Sequence, residues 1–374
     1  MSTFTVPIKR ILAIEPHPNA EAIEFAVIDG YRSIVRKGQF KPGNLVAYIP
    51  EGAVLPEALL KRLGLWDEEK ACGKLAGKDG NRVKAIRLRG EISQGLCYSA
   101  HNVVADTGVS QVREGDDVAD LLGITKYEPP IPVAMAGEVF NAGMSFAFPF
   151  DVENWKSYPD ILQTGEEVVF TEKLHGTCTT VTILPYKDAH PEAFGEKKNI
   201  LIMSKGLAAK GLAFKNNERN ANNLYVRATR ALIARIDEVQ RDNTEGVAEP
   251  NTILGETFGP DVQDLTYGQE IGFRVFAAAY GHNGTRCYQN WAFVEGALKA
   301  QFGFETVPVL YRGPFSEDVM RKYTNGRTTL GADHIREGIV MVPAQERRDP
   351  RIGRVCLKSV SEDYLGRKNG TEYN

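Results

Sequence analysis

A chain of 374 residues, 43% hydrophobic and 25% charged, holds enough apolar material for about two globular domains. No apolar run approaches a membrane span, and the opening Met1-Ser-Thr-Phe-Thr-Val-Pro-Ile-Lys-Arg10 lacks the apolar core of a signal peptide, so a cytoplasmic protein is expected. A formal net charge of −3 excludes bulk electrostatic attraction to nucleic acid, and five scattered cysteines without a C-x-x-C pair suggest neither a disulfide framework nor a zinc site.

Residues 1–125 read as β-rich. Strands are predicted over 7–14, 45–49, 82–89 and 95–99, and a hairpin over 24–35 is signalled by Asp29-Gly30, a type I′ turn pair between two β-branched runs. A short helix over 56–63 is placed to plug one end of a small barrel of the OB type. Residues 126–150 read as a linker, because Tyr127-Glu-Pro-Pro-Ile-Pro-Val favours an extended tether. A helical turn is expected near Asn154.

Residues 151–374 alternate strands with helices. Leu224, Ala228, Leu232, Ile236 and Val239 recur at helical spacing and predict an amphipathic helix over 221–241. Ser316 before Glu317-Asp318 reads as the N-cap of another. Apolar strands are predicted over 199–203, 252–256, 273–280, 338–342 and 355–357. The class is α+β, with a largely antiparallel sheet in this second part.

The most telling segment is Val168-Val-Phe-Thr-Glu-Lys173-Leu-His-Gly176-Thr-Cys-Thr-Thr-Val-Thr-Ile183. A lysine between two strand-like runs can sit in a cleft, where desolvation is expected to lower its pKa and free the amine for attack. Gly176 is expected to let the backbone approach a phosphate closely. The tetrapeptide alone is not specific, since Lys-x-x-Gly recurs at Lys61, Lys70 and Lys74. Its company downstream is. Lys205 follows a strand in Met203-Ser-Lys-Gly. Glu256 ends one in Leu254-Gly-Glu, and Phe276 lies in the next. Glu337 opens Glu337-Gly-Ile-Val, and Lys358 closes Val355-Cys-Leu-Lys. Transfer of a nucleotide to lysine needs these types: an amine to attack the α-phosphorus, further cations and a metal ion for the phosphate charge, a carboxylate to hold that metal, and an aromatic face for the base.

In that order the segments resemble the motifs of the covalent nucleotidyltransferase superfamily, which comprises ATP-dependent DNA and RNA ligases and mRNA capping enzymes. The histidine of Lys173-Leu-His-Gly176 is more typical of RNA ligases. Pro16-His-Pro-Asn-Ala-Glu-Ala-Ile-Glu24, Val35-Arg-Lys-Gly-Gln-Phe-Lys-Pro-Gly43 and Ile86-Arg-Leu-Arg-Gly-Glu-Ile-Ser-Gln-Gly-Leu96 look like the N-terminal OB domain of Deinococcus-type RNA ligases. The resemblance implies an OB-fold barrel followed by an ATP-grasp-like adenylylation domain with an antiparallel sheet. It implies ATP and Mg²⁺ or Mn²⁺ as cofactors, and RNA, as a nicked duplex, as partner, with neither a membrane nor an obligate protein partner. Lys173 is then the nucleophile, Lys358 a phosphate ligand and Glu337 the metal ligand. Glu172 meets adenine through its backbone and Phe276 stacks on it. Glu256 holds the ribose. His175, Gly176, Lys205 and Asn154 contribute to the nucleotide site. The last motif departs from the pattern, with Cys356 where many members carry a lysine, which leaves Arg354 as a possible aid to Lys358. The resemblance leaves open a DNA ligase or a GTP-using capping enzyme. From another class, a non-catalytic OB-fold RNA-binding protein also stays open.

Overall fold

The structure is a computed structural model that describes residues 4–268, 270–367 and 370–371. By its internal packing the chain divides into two units. One takes residues 4–128 with 155–159, and the other takes 129–154 with everything from 160 onward.

The first unit is built on two three-stranded antiparallel sheets. One has the order Ile8–Arg10, Leu45–Ile49, Leu96–Ser99, and the other Ala13–Pro16, Ile23–Ile28, Tyr31–Arg36. The expected hairpin is present. Asp29 adopts the left-handed φ of 50° at the turn, whereas Gly30 does not share a positive φ, so the pair departs from the expected type I′ geometry. Gly30 has another reason to lack a side chain, because a Cβ there would meet the Lys156 backbone at 2.8 Å. Its N–H donates to Lys156 O at 2.8 Å, which fastens residues 155–159 to this unit. The helix Glu57–Arg62 turns Leu59 and Leu60 into a core with Ile8, Ala47, Ile49, Leu55 and Val103. The strand expected over 82–89 is only Ile86–Leu88, paired with Glu91–Ser93 as a separate two-stranded ribbon. Arg82 instead lies over the Tyr127 ring at 3.6 Å.

The second unit holds two five-stranded sheets. The first runs Glu153–Asn154, Leu357–Val360, Gly338–Pro343, Glu167–Lys173, Val309–Pro314. The second runs Ile200–Ser204, Thr177–Ile183, Asn251–Phe258, Gly272–Tyr280, Cys287–Tyr288. All neighbours are antiparallel except Glu153–Asn154, which runs parallel to Leu357–Val360. Glu167–Lys173 is flanked by a strand on each side and buried from Val168 to Glu172, which is why it reads without polar–apolar alternation. Leu174-His175-Gly176 is the corner by which the chain leaves one sheet for the other.

The amphipathic helix spans Leu224–Arg241, starting later than its periodicity suggests because Asn223 caps it. The Asn223 side chain accepts the N–H groups of Tyr225 and Val226, a cap worth roughly 1 kcal/mol. Leu232 and Ile236 pack with Val181, Ile202 and Ile253 of the second sheet. Residues 129–154, whose prolines suggest a tether, belong to this unit: Val139–Asn141 pairs with Leu212–Phe214, and Phe148 is fully buried. The strand expected over 355–357 begins at Leu357, two residues late.

Candidate active site

A cavity of about 240 Å³ in the second unit gathers side chains from both sheets. Val152, Leu174, Phe276, Trp291, Val307, Val340, Val342 and Cys356 give it apolar walls. Lys173, Lys205, Lys358, Glu256 and Asp151 bring charge, and Glu172, Arg354, Phe150, Thr171 and Cys178 complete the lining. Three lysines on one small cavity with an apolar wall suit a ligand that is anionic at one end and flat and apolar at the other.

Lys173 is the last residue of its strand, opposite Gly338 in the ladder, so Glu337 sits directly beside it. Nζ of Lys173 lies 2.7 Å from Oε1 of Glu337. This changes the expected electrostatics. Burial does pull the amine down, but the charges of Glu337 and Glu256 outweigh it and hold Lys173 above the ordinary lysine range. Desolvation is therefore not enough to free the amine while Glu337 faces it. The second oxygen of Glu337 is buried with no hydrogen-bond partner, and His175 Nδ1 lies 3.9 Å from it.

Glu256 stands in a strand facing Cys178, at the far wall. Burial first, then repulsion from Glu337, raise its carboxyl to about 8 against the pull of Lys173. Lys358 is lowered, by burial and then by the neighbouring charges of Lys173 and Lys205. Lys205 Nζ is 3.0 Å from Asp151 Oδ1 and 5.5 Å from the centre of the Phe150 ring. Phe276 lines the cavity and is only partly buried, so a face remains for a ligand.

Other expected residues take different parts. The N–H of Glu172 is committed to Pro308 O at 2.8 Å, which leaves that backbone donor no freedom to meet a base. Its carboxylate accepts from the Thr329 N–H at 2.8 Å and hydroxyl at 2.7 Å through Oε2, while Oε1 is buried without a partner. Gly176 is needed for chain packing: a Cβ would meet Thr257 O at 2.2 Å and the Glu256 side chain at 2.9 Å. Arg354 is held by Glu346 and lies over Tyr288 at 4.0 Å, so its charge is already compensated. Asn154 pairs in the ladder beside Lys358 and is not among the residues lining the cavity.

His175 does not line the cavity either. It is 5% exposed, inside a polar knot. Tyr364 donates its hydroxyl proton to Nδ1 at 2.8 Å, and Nε2–H donates to Asp264 Oδ1 at 2.8 Å. Arg367 and the Thr371 N–H also bind Asp264. Burial, before any other influence, keeps the imidazole below its usual range. Sequence patterns missed this knot, since its members lie 89 to 192 residues apart. Asp151, Phe150 and Trp291 were missed likewise, having no motif of their own.

Two sheets, antiparallel apart from one two-residue edge strand, flank a lysine-lined cavity behind a small β unit in the sequence, the architecture of a ligase domain. The model of the RNA ligase family matches residues 166–360, more than half of the chain, and an OB-fold domain model matches residues 5–100. The chain belongs to the RNA ligase family, with an N-terminal OB fold ahead of an antiparallel-sheet ligase domain. Solved structures of Naegleria gruberi RNA ligase share the fold. A mutant with ATP and Mn aligns at 23% identity and TM-score 0.72, covering 96% of this chain and 97% of that one. The form with PPi aligns at 24% identity and TM-score 0.73, covering 97% and 98%. No curated protein sequence matches the chain. No described helix is long and apolar enough to cross a membrane.

Proposed function

We propose that the protein is an ATP-dependent RNA ligase that joins 3′-OH and 5′-phosphate RNA ends, at nicks in duplexes, through AMP linked to Lys173. Lys173, ion-paired with Glu337 and lining a cavity with two more lysines, carries this reading. The Naegleria gruberi RNA ligase structures with ATP, AMP and Mn support it from outside. The OB unit and the segments over 16–24, 35–43 and 86–96 support a place among Deinococcus-type RNA ligases. Five free thiols, Cys287 exposed among them, suit the reducing cytoplasm.

The first step is attack of the Lys173 amine on the α-phosphorus of ATP. The N–P bond forms, the bond to pyrophosphate breaks, and the amine loses a proton. Lys173 is held protonated by Glu337, so the carboxylate must turn away first. A divalent cation fits here. Glu337 has an orphaned buried oxygen, and Glu256 is pushed toward its neutral form by burial first and then by the nearby charge of Glu337. No group of three His, Cys, Asp or Glu side chains forms a cage among the described residues, so phosphate oxygens and water must complete the shell. Such an ion supplies charge neutralisation at the α-phosphate. With Glu337 turned away from it, Lys173 would lack the counter-ion that keeps its proton, and burial would favour the free amine. Lys358 and Lys205 meet the phosphate charge.

The apolar wall with Phe276, Trp291 and Val340 takes the base. Glu172 adds selectivity: the unpartnered Oε1 suits the exocyclic amino group of adenine, where guanine carries a carbonyl oxygen. AMP then passes to the RNA 5′-phosphate, and the 3′-OH displaces it.

Incubation with α-labelled ATP or GTP and Mg²⁺ or Mn²⁺ tests this. Acid-stable label from ATP alone is expected, mapping to the peptide that contains Lys173 and absent from Lys173→Ala. That variant should still join a pre-adenylylated strand. Equal labelling by GTP, or label on Lys173→Ala, overturns the reading.

A further inference from the structure

Two sequence segments take no part in the nucleotide cavity, the one around His17 and the one around Arg87. The structure joins them. Ile86–Leu88 and Glu91–Ser93 form a two-stranded ribbon with no third strand, and residues 86–90 are all exposed. Ile86 is 52% and Leu88 39% exposed, two residues apart and hence on one face. Between residues 82 and 90 there are four cations, Arg82, Lys84, Arg87 and Arg89, and no carboxylate. The acids nearest the ribbon's root are engaged: Glu91 and Glu15 both pair with Arg32, which is itself laid over Phe25 at 3.8 Å.

The tip is braced. The Asn19 N–H donates to His17 Nδ1 at 3.1 Å, so Nε2 carries the ring proton and donates to Leu88 O at 3.3 Å. The Asn19 side-chain amide donates to Arg89 O at 2.9 Å. His17 is fixed in turn by stacking on Phe25 at 5.1 Å. Arg87 closes the turn by donating to Gly90 O at 3.1 Å. Arg89 is held at φ 49°, a conformation that costs an arginine about 1 kcal/mol and persists only because its surroundings impose it. A ribbon that serves only packing would cover Ile86 and Leu88. This one displays them among cations and spends hydrogen bonds on keeping them in place.

We infer that the ribbon over 86–93, braced by His17 and Asn19, is a docking element for the backbone of duplex RNA. The inference rests on the RNA ligase reading for the identity of the nucleic acid. A-form RNA presents a wide, shallow minor groove lined by sugars, which apolar side chains can contact while flanking cations meet phosphates. Bracing the tip in advance spares the entropy that ordering a loose loop would cost on binding.

The test uses the full chain and a nicked RNA duplex whose binding is followed across a salt series. Arg89→Asn keeps the left-handed conformation accessible and removes one charge. It should weaken binding about tenfold and lower the slope of log Kd against log salt by about one. Arg89→Lys should keep the slope. Leu88→Ser should weaken binding with the slope unchanged, and Asn19→Ala should do the same by releasing the tip. Lysine–AMP formation from ATP alone should match wild type in all four. Unchanged affinity in Arg89→Asn and Leu88→Ser, both folded by thermal transition, overturns the inference and leaves the ribbon to a protein partner. Loss of lysine–AMP along with binding overturns it too. Failure of the wild type to form lysine–AMP sinks the functional reading instead, while duplex binding still scores the ribbon.

Discussion

The amine of Lys173 and the carboxylate of Glu337 lie 2.7 Å apart, and the pairing keeps the amine in the wrong state for attack. The lysine keeps its proton because the carboxylate is there. Glu337→Gln should therefore have two separable effects. The rate of lysine–AMP formation should fall a hundredfold or more, as the charge that serves the metal is lost. The residual reaction should reach its plateau at lower pH, since burial of Lys173 is no longer opposed by that counter-ion. Labelling measured across a pH series checks both. A residual profile that coincides with wild type would mean that Glu337 does not govern the amine.

Glu256 provides a stability test. Its carboxyl ionises near 4.5 in the unfolded chain but is raised to about 8 when folded, by burial first and then by Glu337, with Lys173 and Lys205 opposing. Between those values the folded protein holds the extra proton, so stability falls as pH rises through this window. Gln cannot ionise. The melting temperature of Glu256→Gln, taken relative to wild type without nucleotide or metal, should rise from pH 5 to pH 8 by several degrees and then level off. A difference that is flat with pH refutes the assignment.

Gly176 and Gly206 form a matched pair. Ala at 176 drives a Cβ to 2.2 Å from the Thr257 carbonyl, whereas around 206 nothing lies within 4 Å. Gly176→Ala should cost more than about 2 kcal/mol. Gly206→Ala, in the short helix Lys205–Ala208, should be neutral or stabilising by about 0.5–1 kcal/mol. Urea unfolding of both reads the contrast, and comparable losses would show that the predicted clash is relieved.

His175 should behave as a structural residue. Removing it leaves the Tyr364 hydroxyl and Asp264 short of a partner in a buried setting, at a cost of about 2–4 kcal/mol in His175→Ala, against about 1 kcal/mol in Tyr364→Phe. If His175→Ala unfolds like wild type yet forms no lysine–AMP, the histidine acts at the phosphates after all.

Much of this molecule is legible in its residues, for local reasons. Asp29-Gly30, the run Leu45–Ile49, the cap at Ser316 and the period from Leu224 to Val239 are decided within a few residues, and each element forms where expected. Lys173, Lys205, Glu256, Phe276 and Lys358 can be picked out because strand ends and chemistry coincide there, and all five line one cavity. What resists reading is decided across distance. The sign of the Lys173 shift depends on Glu337, 164 positions on in the sequence. The role of Gly176 depends on how closely Thr257 passes it. Residues 129–154 look like a tether until Leu212–Phe214 offers Val139–Asn141 a partner. His175 looks like a phosphate neighbour until Asp264, Tyr364 and Arg367 surround it.

The strand that ends in Lys173 has a consequence for synthesis. Thr171 pairs with Val340, 169 residues later, whereas each strand of the first unit's two sheets finds its partner by residue 99. On a ribosome adding 5–20 residues per second, the run Val168-Val-Phe-Thr171 waits roughly ten to thirty seconds for that neighbour. Through this interval the nascent chain carries a sticky β-forming stretch beside an OB unit whose own sheets are already complete. Glu166 and Glu167 on one side and Glu172 and Lys173 on the other bracket it with charge, as gatekeepers do around unavoidable apolar strands. Lys173 thus doubles as a guard of its own strand until Glu337 arrives to pair with it.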